Sequence, residues 1–428
     1  MEIRELKPLT RVEGEGRVIL KFKDGLVEDV YINIFEPPRF FEGILKGRKF
    51  SSVMDITARI CGICPIAYQM SSVQAIESIF GVEVFSEIEN LRRLFYYSEW
   101  ISSHVLHIFF LHLPDFLGVS SIFDIHRVQP EVVKRVLRLK EYGAKLTELI
   151  GGRSSHPVSV VVGGFSKVPR KENFTKLLSD FDKVYEDAIF LFEYLASLNY
   201  PEYSLGEEVL FVSLIDGDNY PILKGEIYSS DGFVVSKNEF SDYFVEYELP
   251  YSNAKFCKRK DGRHYIVGPL ARFNNSFEKL LDSVKQLALK YRITPPVMNP
   301  YKSILVRMLE VIDCLERGRS VMEKYRDITK PVVDYRVVAG VGTGISEAPR
   351  GVLWHRYRLN SDGLVEEADI VPPTSQNQYV MELDVRRCLA GKTEKESLEK
   401  VEEAEKLIRN YDPCISCATH FLRVEVIS

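Results

Sequence analysis

The chain has 428 residues and a mass of 49.2 kDa, 45% of them hydrophobic. That is length for two to three domains or one large enzyme subunit, with apolar material to bury a core without disulfide staples. Its 56 Lys and Arg against 61 Asp and Glu leave a formal charge of −5 with no long single-sign block, which argues against a basic nucleic-acid footprint.

Residues 8–36 alternate as strands do: Arg17-Val18-Ile19-Leu20-Lys21-Phe22, a turn at Asp24-Gly25, then Val27-Glu28-Asp29-Val30-Tyr31-Ile32, which predicts an amino-terminal hairpin. From 87 to 113, Leu91, Leu94, Phe95, Ile101, Val105, Ile108 and Leu111 recur at helical spacing, and Pro114 is expected to end the run. Further long helices are predicted at about 128–150, 171–198, 272–292 and 301–326, packing as a bundle. A β-rich insert is expected at about 208–268, punctuated by Gly217, Gly225 and Gly232, and a second strand-rich segment at about 332–371. Two shorter helices follow, at about 376–390 and 394–410. With no repeat, low-complexity tract or linker, the expected class is α+β: a long-helix bundle flanked by β-rich segments, in one unit. The apolar stretches at 108–113 and 158–162 are too short for a membrane span, and Met1-Glu2-Ile3-Arg4-Glu5 lacks the apolar run of a secretory signal, so a soluble cytoplasmic chain is expected.

Seven cysteines are too few and too clustered for a secreted disulfide framework. Cys257, Cys314 and Cys388 stand alone and read as buried small hydrophobes. Cys61 and Cys64 form one C-x-x-C, and Cys414 and Cys417 a second. A two-residue gap lets both sulfurs of a pair reach one metal ion, so two pairs supply four soft thiolates. The pairs are 349 residues apart, whereas zinc ribbons and fingers separate theirs by roughly one or two dozen. Spacing alone leaves a structural zinc, a redox-active or catalytic metal, and two independent redox disulfides open. If the pairs share a site, the two ends of the chain must meet.

The flanks narrow the choice. The first pair lies in Arg59-Ile60-Cys61-Gly62-Ile63-Cys64-Pro65 and the second in Asp412-Pro413-Cys414-Ile415-Ser416-Cys417-Ala418-Thr419-His420. Between and around them run Arg11-Val12-Glu13-Gly14, Arg39-Phe40-Phe41-Glu42, an H-x2-H-x7-D pattern at His104, His107 and Asp115, His156-Pro157 with Gly163-Gly164, Gly268-Pro269-Leu270-Ala271-Arg272, Glu347-Ala348-Pro349-Arg350-Gly351, and Pro373-Thr374 with Asn377. In this order, from Arg11 to His420, the chain resembles the large, catalytic subunit of nickel-iron hydrogenases. One departure is Tyr68, where many relatives carry a His that donates toward a bridging cysteine sulfur. With it, the sequence is most similar to the cytoplasmic, multimeric, NADP-linked group called sulfhydrogenases.

The resemblance implies the hydrogenase large-subunit fold and a binuclear centre. Cys61, Cys64, Cys414 and Cys417 would bind nickel, with Cys64 and Cys417 bridging to an iron that carries carbon monoxide and cyanide. Reversible heterolytic cleavage of H2 would leave a proton on Cys414, with Glu13 relaying it outward. Arg350, following Pro349, would reach over the metals, held by Asp115 and Asp412, and Thr374 would donate to a cyanide. Glu42 and His420 would hold a magnesium-like cation, magnesium or iron. His104, His107 and His112 lie on one predicted helix, where packing and hydrogen bonding to neighbours are their expected roles.

Family chains generally end at the last His because a protease removes an extension after nickel insertion. Here residues 421–428 follow His420, and a precursor is expected whose apolar tail packs as a strand. The chain has no further cysteine cluster for iron-sulfur centres and only a fragment of a dinucleotide loop, Val341-Gly342-Thr343-Gly344-Ile345. An iron-sulfur small subunit is therefore expected, with FAD and NAD(P) on additional subunits. The competing reading is a hydrogenase-like scaffold that binds zinc or no metal.

Overall fold

The computed structural model describes residues 2–421. Strands β1 (Glu2–Pro8), β2 (Gly16–Lys23) and β3 (Leu26–Ile34) form an antiparallel sheet in that order. The predicted hairpin thus gains a third strand. Along β2 every second residue is buried, which sets the sheet's inner face.

Helix α1 (Pro65–Phe80) starts immediately after the first cysteine pair, with Cys64 as N-cap and Pro65 in the first turn, where its missing N–H is no loss; it ends at Gly81 in the left-handed region. Nearly every face of α1 is buried, so it carries no amphipathic period and was invisible to periodicity. Helix α2 (Ser86–Val105) runs on through a π-helical stretch, Leu106–His112, into α3 (Leu113–Leu117). The expected stop at Pro114 is therefore incorrect: the helical path passes from the π-helical stretch across Pro114, and Gly118 in the left-handed region makes the stop instead. Helices α4 (Pro130–Gly151) and α5 (Thr175–Ala196) follow.

The β-rich insert is β4 (Leu210–Ile215), β5 (Glu226–Ser229), β6 (Val234–Val235), β7 (Phe244–Tyr247), β8 (Phe256–Arg259) and β9 (Tyr265–Ile266). It makes a four-stranded sheet of order β9-β4-β5-β6 and a separate β7-β8 pair. The helix expected over 272–292 is broken into α6 (Pro269–Ser276) and α7 (Asp282–Lys290). Its cause lies on α8 (Ser303–Lys324), whose Asp313 accepts the Leu281 N–H at 3.0 Å and whose Arg317 donates to the Lys279 carbonyl at 2.7 Å. Helices α2, α4, α5 and α8 pack on one another as the bundle.

An antiparallel sheet of β10 (Gly340–Ala348), β11 (Gly351–Leu359) and β12 (Val365–Val371) lies against α1. A Cβ on Gly342 or Gly344 would sit 2.2 Å or 2.0 Å from the Ala75 or Ser71 carbonyl oxygen of α1. These glycines, the suspected loop fragment, are there for close strand–helix approach. Helices α9 (Pro373–Leu389), α10 (Glu394–Glu399), α11 (Val401–Asn410) and α12 (Ile415–Ala418) complete the chain. No single described helix is long and apolar enough to cross a membrane. Apart from Phe421, which is buried, the tail expected to pack as a strand lies outside the described residues.

Candidate metal centre

The chain's two ends are stitched together backbone to backbone. Glu13 and Cys414 form a parallel β-bridge, and the N–H groups of Arg39 and Phe41 donate to the carbonyls of Thr419 and His420, each at 2.7 Å. Arg39 also spans both cysteine segments with one guanidinium nitrogen, donating to the Ile60 carbonyl at 2.6 Å and to the Ser416 carbonyl.

The two C-x-x-C pairs therefore face each other, each at a helix start: Cys64 caps α1 and Cys414 caps α12. Sγ–Sγ distances are 2.7 Å for Cys61–Cys64, 2.7 Å for Cys414–Cys417 and 3.4 Å for Cys61–Cys414. All four sulfurs lie within 4.8 Å of one another, and all four residues are buried. Among the described residues this is the one such group of His, Cys, Asp or Glu ligands. Of the other cysteines, Cys257 and Cys314 are buried as expected, while Cys388 is only half-buried.

Four thiols this close cannot all ionise unaided. Burial opposes every thiolate; neighbouring thiols and the Arg350 charge nevertheless bring Cys61 well below the ordinary thiol range, while burial and the negative charge already present hold Cys64, Cys414 and Cys417 above it. A cation among the sulfurs removes that conflict, and soft thiolates favour transition-metal ions over hard cations such as magnesium or calcium.

Around the sulfurs sit donors. Arg350 is 2% exposed; its Nε donates to the Asp412 carbonyl at 2.8 Å and its Nη2 to Asp412 Oδ1 at 2.9 Å. Burial works against the guanidinium's charge, but Asp412 first and then the sulfurs of Cys414, Cys64 and Cys61 more than offset it. Nη1 has no hydrogen-bond partner among the described residues. The hydroxyl of Tyr68 is equally buried and unpartnered, and burial followed by the four cysteine charges keeps it protonated. The Cys414 N–H donates to Thr374 Oγ1 at 3.0 Å, leaving the threonine's own hydroxyl hydrogen for another acceptor.

Glu13 lies beside the second pair, its Oε2 accepting the Ser416 N–H at 3.0 Å. The expected pairing of Asp115 with Arg350 is incorrect: Asp115 accepts from Arg11 and from Arg409, the latter at 2.7 and 3.0 Å. Asp115 stands in the first turn of α3, and two other arginines saturate its carboxylate before Arg350 is reached. Of the three histidines, His104 Nε2 lies 2.9 Å from Glu310 Oε2, His107 Nε2 bonds the Arg409 carbonyl at 2.7 Å, and His107 and His112 lie with ring centroids 5.1 Å apart. Burial drives the pKa values of all three down, to about 4 for His104 and about 3 for His112.

A second polar group forms where the last motif ends. His420 Nε2 lies 3.3 Å from Glu42 Oε1, and His420 Nδ1 bonds the Cys417 carbonyl at 2.6 Å, tying this group to the sulfurs. Burial pushes the Glu42 carboxyl up, but His420 and Lys255 outweigh it and bring the group down to about 2. Glu246, 3.1 Å from Lys255, is pushed up by burial and by Glu42.

Sequence reasoning missed Arg39 as the tie between the pairs, Glu246 and Lys255 beside Glu42, and Glu99. The buried Glu99 carboxylate accepts the Ile66 and Ala67 N–H groups at 2.6 and 2.9 Å, holding the first turn of α1. Arg39 stood inside a quoted motif; the other three are single charged residues with no local signal.

Residues 39–137 and 242–420 match the family described as nickel-dependent hydrogenase. The chain is 32% identical over 421 residues to sulfhydrogenase 1 subunit alpha of Pyrococcus furiosus, covering 97% of each. It is 32% identical over 429 residues to sulfhydrogenase 2 subunit alpha of the same organism, covering 99% of this chain and 100% of the relative. Among solved structures, an NAD+-reducing nickel-iron hydrogenase in its H2-reduced state is similar with a TM-score of 0.87 at 26% identity, covering 98% of this chain and 100% of that one.

Proposed function

The chain belongs to the nickel-dependent hydrogenase family and is the catalytic subunit of a nickel-iron hydrogenase, an oxidoreductase acting on H2; from that premise we propose how its own residues serve the reaction. The observation that carries the reading is the group of four buried Sγ atoms within 4.8 Å. In it, Cys61, Cys64, Cys414 and Cys417 would hold nickel, and Cys64 and Cys417 would also hold an iron whose other ligands are carbon monoxide and cyanide. The donor set fits such a centre: four thiolates demand cations, and Arg350 Nη1 and the Tyr68 hydroxyl are buried donors lacking an acceptor among the described residues. When bound, the nickel-iron centre supplies the reversible heterolytic splitting of H2.

The protein moves the proton and fixes the geometry. Cys414 Sγ accepts the proton, and Glu13, bridged to Cys414 through the backbone, passes it outward. Arg350, which follows Pro349 and is steered by Asp412, would offer its free nitrogen to the iron's ligands, and Thr374 would offer its hydroxyl to another of them. Tyr68 would donate through its hydroxyl to the sulfur of Cys64 or Cys417. Glu42 and His420 would hold magnesium or iron, with Glu246 and Lys255 close by, and His420 stays tied to the Cys417 carbonyl.

Electrons leave through a partner. The relatives are alpha subunits by name, which supports a multisubunit enzyme with an iron-sulfur small subunit. The likeness to an NAD+-reducing enzyme supports further subunits carrying FAD and NAD(P), in the cytoplasm. Removal of residues 421–428 by a maturation protease completes the reading. Elemental analysis of the chain purified from its native host, with H2-dependent reduction of a viologen dye, tests it. About one nickel and one iron per chain with activity is expected; zinc alone without activity would return the chain to the scaffold reading.

A further inference from the structure

Arg272 is fully buried on α6, and its five N–H groups meet five acceptors. Nε and Nη2 clamp the two oxygens of Glu310 at 2.8 and 2.9 Å. Nη1 donates to Glu347 Oε2 at 2.9 Å and to the Ala348 carbonyl at 3.0 Å, and Nη2 donates to the Pro349 carbonyl at 2.9 Å. The guanidinium lies 4.2 Å from the Trp100 ring centroid. The acceptors are themselves fixed: Tyr220 donates to Glu310 at 2.7 Å, and the Leu214 N–H to Glu347 at 2.7 Å.

Such a network is a poor way to gain stability, because apolar side chains of the same volume serve as well or better. Its output is position. The carbonyls it holds belong to the two residues before Arg350, where the chain turns from β10 into β11. The Arg350 carbonyl is met from the same side: Gly268, at φ +103°, lies so close that a Cβ would sit 2.6 Å from that oxygen. The turn that leads into Arg350 is thus held by Arg272 and α6, and the Arg350 guanidinium by Asp412.

We propose that Arg272 is a positioning residue for Arg350, setting where its guanidinium stands over the four sulfurs. The inference rests on the role proposed for Arg350. A lysine at 272 keeps the charge but cannot reach Glu310, Glu347 and two carbonyls together.

The test compares Arg272→Lys, Arg350→Lys and the double variant in the assembled enzyme, reading metal content, H2/D+ exchange and the infrared bands of the iron's diatomic ligands. Arg272→Lys is expected to keep nickel and iron and to lose about 10- to 100-fold in exchange rate. Its bands should shift in the direction that Arg350→Lys shifts them, and the double variant should be no slower than Arg350→Lys alone. Losses that multiply in the double variant, or native bands in Arg272→Lys, overturn the proposal. An Arg350→Lys enzyme with the native rate instead removes the reading beneath it. If Arg272→Lys does not fold, Glu310→Gln loosens the same guanidinium while leaving its carbonyl bonds in place, and the same non-additivity with Arg350→Lys is required.

Discussion

Glu13 and Cys414, at opposite ends of the chain, are held in register as a parallel β-bridge, with the Ile415 N–H donating to the Glu13 carbonyl at 3.0 Å and Glu13 Oε2 accepting the Ser416 N–H. The backbone pairing positions the carboxylate whatever its protonation state. Glu13→Gln keeps the bridge and an oxygen acceptor for Ser416, so nickel and iron content should not change. Proton exchange between H2 and D2O should fall about 100-fold or more if the carboxyl is the relay. A native exchange rate in a fully loaded Glu13→Gln enzyme would refute that role.

Arg39 ties the Ile60 carbonyl, next to Cys61, to the Ser416 carbonyl, between Cys414 and Cys417. Arg39→Met leaves both carbonyls without that donor, at a cost of about 1–3 kcal/mol. The cost falls on the apposition of the two pairs. Nickel loss to a chelator should be at least about 10-fold faster than in the native chain, while thermal unfolding of the bundle helices shifts little.

Tyr68 packs its ring 5.6 Å from that of His355 and keeps its hydroxyl unpartnered beside the sulfurs. Tyr68→Phe removes the hydroxyl alone. Since no protein bond is lost, the unfolding free energy should move by less than about 1 kcal/mol. A hydroxyl that donates to a ligating sulfur is worth roughly 10- to 100-fold in activity or metal affinity. An enzyme unchanged in rate, metal content and infrared bands would show that the hydroxyl does not reach the centre.

Glu382 on α9 is 3% exposed, accepting the Ile32 N–H at 2.8 Å and the Tyr251 hydroxyl at 2.8 Å, and burial pushes its pKa up to about 7. The group is an ordinary carboxyl in the unfolded chain, near 4.5. Between those values the folded chain holds a proton that the unfolded chain has released, so stability falls as pH rises through the window. The stabilisation is complete below about pH 4.5, and its loss, on the order of 3 kcal/mol, is largely complete once the pH has passed well above about 7. Glu382→Gln mimics the protonated form. Urea unfolding at pH 5 and pH 7.5 should show the variant gaining on the native chain at the higher pH; a constant difference would place the titration elsewhere.

The places where sequence reading failed share a cause. Helix α1 was not seen because both the bundle and the β10–β12 sheet cover it, erasing its polar stripe. The break between α6 and α7 is imposed by Asp313 and Arg317, which take up backbone groups at Lys279 and Leu281 from more than 30 residues away. Asp115 was given to Arg350 by analogy, whereas Arg11 and Arg409 reach it. Each error concerns a partner that local sequence does not name.

By itself the sequence determined the four cysteines, their two-residue gaps and the ordered motifs around them. It also determined where the long amphipathic helices at Pro130–Gly151, Thr175–Ala196 and Ser303–Lys324 lie. Ligand spacing within a C-x-x-C and the helical period are local, set by a few consecutive backbone angles. Tertiary structure alone decided that Cys61 and Cys414 approach to 3.4 Å, that Arg39 and Glu13 bind the two ends, and that Arg272 grips the turn before Arg350. Those contacts join segments up to 403 residues apart, and burial inside a shared core is what makes a charged or soft side chain commit to one partner rather than to water.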